Sequence, residues 1–167
     1  TTGALAIGVP GSLAAYDYLI AAGGKLTLPQ FLIPAAELAE QGFPISQPYA
    51  RRLAYTANKI RQFPNSAAIL LDVAGQPHPA GYHFKQKDLA NTYRNIAAQG
   101  IDYFYNGPFA EALERWMQNN GGLVSATDFA NYQLKQRQPL VTAYRGHQII
   151  GFPPPSSGGV HVAQILN

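Results

Sequence analysis

Residues 27–42, TLPQFLIPAAELAEQG, decide how the rest of the chain is read. Thr27 followed three residues later by Gln30 is a capping-box pair, in which the glutamine reaches back to the backbone amide of the helix cap. Gly42 supplies the stop, because glycine takes the backbone conformations that end a helix at little cost. Pro34 interrupts the pattern: its ring removes an N–H and crowds the preceding turn, so a break or kink is expected after Phe31.

The same start and stop signals recur outward from this segment. Residues 12–22 follow the turn Pro10-Gly11 and end at Gly23-Gly24, about three turns of helix. Ser46 can cap a helix with Pro48 in its first turn, running through Arg51, Leu53, Ala57 and Ile60 until Phe63-Pro64-Asn65. The apolar run 67–73 reads either as a strand or as a buried extended segment. Beyond the Pro-rich loop 77–79, Leu89, Tyr93 and Ile96 recur at helical spacing within 88–99, with Gly100 as the stop. After Gly107-Pro108 the stripe Phe109, Leu113, Trp116 and Met117 marks core rather than a cofactor box. Ser125 with Asp128 begins a short helix bearing Phe129 and Tyr132. Residues 140–152, rich in Val, Ile, Thr and Tyr around Arg145-Gly146, read as two strands or a hairpin. An ordered turn at 153–159 leads into a helix from Val160 that reaches Asn167 without a C-cap, where a natural domain is not expected to end. The fold class is therefore mainly α with a small β component.

With 167 residues and 47% hydrophobic content the chain can build a core. Charged residues make up only 13%, about half the usual share, so part of the surface is suited to lie against other protein. The formal charge of +3 is spread thinly, and Arg51-Arg52 is the one adjacent basic pair, a pair of solvated helix residues. No nucleic-acid partner is expected. The absence of cysteine excludes disulfides and thiolate chemistry while leaving the compartment open. No apolar run approaches the roughly 20 residues that span a bilayer, so no membrane partner is expected. Residues 1–12 lack the charged start and apolar stretch of a signal peptide.

The chemistry-bearing residues form no recognisable active site. His78, His83, His147 and His161 show no i, i+4 zinc pair; His78 and His83 lie in a Pro-Gly loop and read as surface histidines. Glu37 with Glu40, and Glu111 with Glu114, are i, i+3 pairs on exposed helix faces. Neither a nucleophile elbow nor a phosphate loop occurs. Two features have a functional reading beside a structural one. In Ser156-Ser157-Gly158-Gly159, successive N–H groups at a helix start can hold a carboxylate or oxyanion, whereas a capping serine and turn glycines account for the same residues. Thr1 can act as a nucleophile through its own α-amine only if it is a processed terminus; a proteolytic boundary is the simpler reading.

Several segments taken in order resemble the γ-glutamyltransferase family, also called glutathione hydrolases. They are Ala6-Ile7-Gly8-Val9-Pro10-Gly11, Leu32-Ile33-Pro34-Ala35-Ala36-Glu37-Leu38-Ala39-Glu40-Gln41-Gly42-Phe43, Asp88-Leu89-Ala90-Asn91-Thr92 and Phe104-Tyr105-Asn106-Gly107-Pro108. Asn120-Gly121-Gly122-Leu123-Val124-Ser125, Tyr144-Arg145-Gly146 and Pro153-Pro154-Pro155-Ser156-Ser157-Gly158-Gly159 complete the series. Their order and spacing, spanning nearly the whole chain, carry the resemblance.

The resemblance implies an N-terminal nucleophile hydrolase whose precursor cuts itself to expose a threonine on a small subunit. That hydroxyl attacks a γ-glutamyl amide, and water or an amino acid takes the acyl group. It implies that residues 1–167 are a single partial domain, a helical lobe of the large subunit around an αββα core. The upstream substrate-binding part and the downstream catalytic small subunit are expected outside it. The family's nucleophile lies in a Thr-Thr-His-like segment that Thr1-Thr2-Gly3 does not match, and its carboxylate-binding arginine lies upstream of Gly8. Its paired substrate-site serines belong to the small subunit, not to Ser156-Ser157. No catalytic, substrate-binding or metal residue is therefore carried over. The implied partners are the small subunit, the remainder of the large subunit and a γ-glutamyl small molecule, with no cofactor and a periplasmic or secreted location. The fragment alone is expected to be inactive. Alternatives are a cephalosporin-acylase or poly-γ-glutamate relative, and an independently folded helical module that binds protein or ligand.

Overall fold

The computed structural model describes residues 2–167, which form two compact units, one ending at Tyr132 and the other spanning Gln133–Asn167. The chain is mainly helical with two small sheets.

In the first unit a short 3-10 turn (Ala4–Ala6) precedes α1 (Ser12–Gly23) and α2 (Leu28–Gln41). Then come β1 (Phe43–Pro44), α3 (Gln47–Ile60), α4 (Pro64–Leu70) and β2 (His83–Phe84). Helices α5 (Lys87–Gln99), α6 (Asp102–Tyr105), α7 (Pro108–Asn120) and α8 (Ala126–Ala130) complete it. The caps read from sequence are in place: the Thr27 N–H donates to Gln30 Oε1 at 2.8 Å, and Ser46 Oγ accepts the Tyr49 N–H. Ser125 and Asp128 bond reciprocally, the Ser125 N–H donating to Asp128 Oδ2 at 2.8 Å and the Asp128 N–H to Ser125 Oγ at 3.2 Å.

Of the break or kink expected at Pro34, the break does not occur: α2 runs through it. Pro34 lies on the exposed face, while Leu28, Leu32, Ala36 and Ala39 are buried on the other. Losing one backbone hydrogen bond and crowding one turn is outweighed by that burial, at roughly 25 cal/mol per Å². Fully buried Ala36 and Ala90 let α2 and α5 approach closely, and the Gln86 N–H donates to the Ala39 carbonyl at 2.7 Å.

The run 67–73 is likewise corrected: 67–70 is helical within α4, and only Leu71 is bridged, to Pro77. Phe63-Pro64 ends α3, but it also starts α4. Proline forces Phe63 into extended backbone (φ −122°, ψ 98°), the conformation of a helix cap, and sits itself at the first helical position. The pairing of β1 with β2 was not legible, two residues on each side being too short to show alternation.

The core centres on α6. Phe104 stacks on Phe109 with ring centroids 4.2 Å apart and meets Phe129 at 5.5 Å, over Leu28, Leu32 and Ile96. Met117 and Phe129 are each 1% exposed, so the stripe read on α7 is core, with Trp116 at its margin. A second cluster of Ile45, Ala50, Leu53 and Phe84 lies under β1 and β2.

The second unit is an antiparallel hairpin of β3 (Leu140–Tyr144) and β4 (His147–Gly151), with Tyr144 opposite His147 and α9 (Gly158–Leu166) against it. Arg145 (φ 48°) and Gly146 (φ 79°) form the two-residue turn, the left-handed pair that matches strand twist.

Candidate functional site

The turn at 153–159 is shaped by close packing. Ser157 caps α9 with helical backbone (φ −78°, ψ −17°) and its hydroxyl makes no cap hydrogen bond. Neither Gly158 nor Gly159 has positive φ, so neither is required by turn geometry. A Cβ on Gly159 would sit 2.2 Å from the Phe152 carbonyl oxygen. The serine-cap explanation is thus replaced by a steric one: glycine admits the end of β4 against the first turn of α9. Ser156 and Ser157 are exposed and bond to no side chain among the described residues. Thr1, the other feature with a functional reading, lies outside the described residues.

One carboxylate of each pair has a structural partner. Glu40 forms an ion pair with Arg94 that joins α2 to α5, and its carboxyl is held below the usual range by the guanidinium's hydrogen bond and charge. Glu114 Oε1 accepts the Ala126 N–H at 3.2 Å, tying α7 to the start of α8. Among the described residues no group of three or more His, Asp and Glu side chains is placed to hold a metal ion.

His83, His147 and His161 are exposed, but the surface reading of His78 is corrected: it is 8% exposed. Its ring stacks on Tyr82 with centroids 3.6 Å apart and planes 2° from parallel. No ring nitrogen of His78 has a hydrogen-bond partner among the described residues, yet none is sealed from solvent. A rigid loop holds it there. Asp72 Oδ1 accepts the Ala74 and Gln76 N–H groups at 2.9 and 2.7 Å, and Arg61 Nε donates to the Gly75 carbonyl at 2.8 Å. Sequence reasoning placed His78 by its Pro-Gly neighbours; its burial comes from folding of the 72–79 loop onto Tyr82, which no local spacing reveals.

His78 lines a groove of about 840 Å³, with Ile69, Leu71 and Leu89 as apolar wall and Lys85, Lys87 and Asp88 at the rim. A second groove of about 760 Å³, between α1, α2 and α5, is lined by Leu13, Tyr16, Ile20, Phe31 and Tyr93 and contains no charged residue. Its lining among the described residues is predominantly apolar, with hydroxyls from Ser12, Tyr16, Thr92 and Tyr93.

Against known proteins, residues 1–167 match the gamma-glutamyltranspeptidase family along the whole chain. The chain belongs to this family. It is 41% identical over 165 residues to the acylase ACY 1 proenzyme of Pseudomonas sp. (strain SE83), covering 99% of this chain and 29% of that protein. It is 38% identical over 167 residues to the glutathione hydrolase proenzyme of Escherichia coli (strain K12), again covering 99% of this chain and 29% of the relative. The chain thus spans under a third of these relatives' length. The fold is similar to the Helicobacter pylori gamma-glutamyltranspeptidase crystal structure, with a TM-score of 0.92, 40% identity, and coverage of 98% of this chain and 47% of that one.

Proposed function

We propose that residues 1–167 serve as part of the large subunit of a γ-glutamyltransferase-type N-terminal nucleophile hydrolase. In this reading the whole stretch is one partial domain around an αββα core, with substrate-binding residues upstream and the catalytic small subunit downstream. The complete enzyme cleaves γ-glutamyl amides: a threonine hydroxyl of the small subunit forms the acyl-enzyme, its own amine serving as base, and water or an amino acid receives the acyl group. Backbone N–H donors stabilise the tetrahedral oxyanion, and no cofactor is required. The protein works in the periplasm or outside the cell.

The observation that carries this reading is the family match over every residue of the chain, joined to relatives described as proenzymes. Exposed apolar side chains support the need for further protein: Leu19 on α1 is 62% exposed, and in the second unit Phe152 is 73% exposed. An acylase acting on a different amide is the second reading, favoured by the 41% identity to the acylase ACY 1 proenzyme.

Intact-mass measurement on the full-length protein tests the proposal. Self-cleavage into two chains, with threonine at the new N-terminus, is expected. A protein that stays uncut and unreactive overturns it, and turnover of a cephalosporin side-chain amide in preference to a γ-glutamyl amide selects the acylase.

A further inference from the structure

We propose that Asn106-Gly107, between α6 and α7, is a site of spontaneous succinimide formation that converts Asn106 to aspartate and isoaspartate, and that the fold protects the chemically identical pair Asn120-Gly121. The inference stands on local geometry and is independent of the family reading. Asparagine before glycine is a thermolabile arrangement, because no Cβ shields the following amide nitrogen or restricts its backbone. The glycine nitrogen, once its proton passes to hydroxide, bonds to the asparagine Cγ; the Cγ–Nδ2 bond breaks and that nitrogen leaves as ammonia. Water then adds to either carbonyl of the cyclic imide and breaks one of its C–N bonds, giving aspartate or isoaspartate.

These are the two Asn-Gly pairs of the sequence, and both asparagines are exposed, so water reaches each. What separates them is the attacking nitrogen. The Gly107 N–H donates to no acceptor among the described residues, and Asn106 follows the short helix α6 with non-helical backbone (φ −119°, ψ 3°). Its Nδ2 donates to Asp102 Oδ1 at 2.8 Å, but this bond lies in solvent and restrains the amide little. At the other pair the Gly121 N–H is held by the Met117 carbonyl in a left-handed helix cap, and Asn120 Nδ2 donates to the Trp116 carbonyl at 2.8 Å. The next residue is pinned as well: a Cβ on Gly122 would sit 2.1 Å from Sδ of Met117, which is itself 1% exposed. Closing the ring at Asn120 therefore requires the end of α7 to unwind from the core. Conversion at Asn106 has a structural consequence. It replaces a donor amide by a second carboxylate facing Asp102, so attraction becomes like-charge repulsion. Isoaspartate also lengthens the main chain where space is short, since a Cβ on Gly107 would lie 3.0 Å from the Asp102 and Tyr103 carbonyl oxygens. The junction joins Phe104 to Phe109, which stack in the core, so conversion loosens the first unit.

The test is incubation of the full-length protein at mildly alkaline pH, in native buffer and in urea, followed by peptide mass spectrometry that assigns amide-to-acid conversion to each asparagine. Enzymatic methylation counts the isoaspartate. In urea, where sequence alone acts, Asn106 and Asn120 are expected to convert at similar rates. In native buffer Asn106 is expected to convert roughly fivefold faster than Asn120, the factor that one retained backbone hydrogen bond represents. Asn106→Gln, which keeps the amide but cannot close the same ring, is expected to abolish conversion at that position and leave the Asn120 rate unchanged. Equal native rates, a faster Asn120, no native conversion at Asn106, or undiminished conversion in the glutamine variant would each overturn the proposal. Self-cleavage of the same protein is read separately from these peptides, so the two proposals fail independently.

Discussion

The Tyr105 hydroxyl donates to the Pro10 carbonyl at 2.7 Å and accepts the Ala14 N–H at 3.2 Å, fastening the start of α1 to α6. Burial pushes its phenol above the ordinary tyrosine value, so the neutral hydroxyl persists into alkaline solution. Tyr105→Phe strands a carbonyl and an amide and is expected to destabilise the first unit by about 1–3 kcal/mol in urea unfolding. In the second unit two neighbouring substitutions should diverge. Gly159→Ala forces a methyl onto the Phe152 carbonyl and is expected to cost about 1–3 kcal/mol, read as faster amide exchange in β4 and α9. Ser157→Ala removes no cap bond and should change stability by less than about 0.5 kcal/mol. The role of Gly159 was visible in the sequence only as a turn glycine, because a clash between residues 159 and 152 exists only once the chain has folded back. The same holds for His78, whose burial depends on a loop closing through Asp72.

Helices were legible where a cap and a stop could both be read, as at Thr27, Ser46 and Ser125, because those bonds are made within three residues. They were misread where one residue carries two signals. Pro34 breaks a helix in isolation, but here it faces solvent on an element whose opposite face is buried against α5. Pro34→Ala restores an N–H without removing core contacts, so a gain of roughly 1–3 kcal/mol is expected in chemical denaturation. The α8 cap gives a pH-dependent prediction. Hydrogen bonds from the Ser125 N–H and hydroxyl hold the Asp128 carboxyl below its ordinary value of 3.8. A depressed carboxylate stabilises the fold above that ordinary value, and the contribution is lost as pH falls through the lowered one. Exchange of the Ser125 amide should therefore accelerate in that acid window, and Asp128→Asn should remove the pH dependence.

At the scale of the molecule, the mainly helical class was legible from repeated caps and stripes, whereas the division at Tyr132 was not, since no linker composition marks it. Family membership was legible because seven short segments keep their order, one of them the Arg145-Gly146 turn. The active centre was not legible, since the histidines, carboxylates and serines of this sequence form no recognisable catalytic pattern. Among the described residues no helix is long and apolar enough to cross a membrane. Few charges and exposed apolar side chains in both units suit surfaces that lie against other protein. The most direct test is release of the chromophore from a γ-glutamyl anilide, measured for residues 1–167 and for the full-length protein side by side. Turnover by the full-length protein and none by residues 1–167 is the predicted result; turnover by residues 1–167 alone would contradict the account and place the nucleophile within this chain.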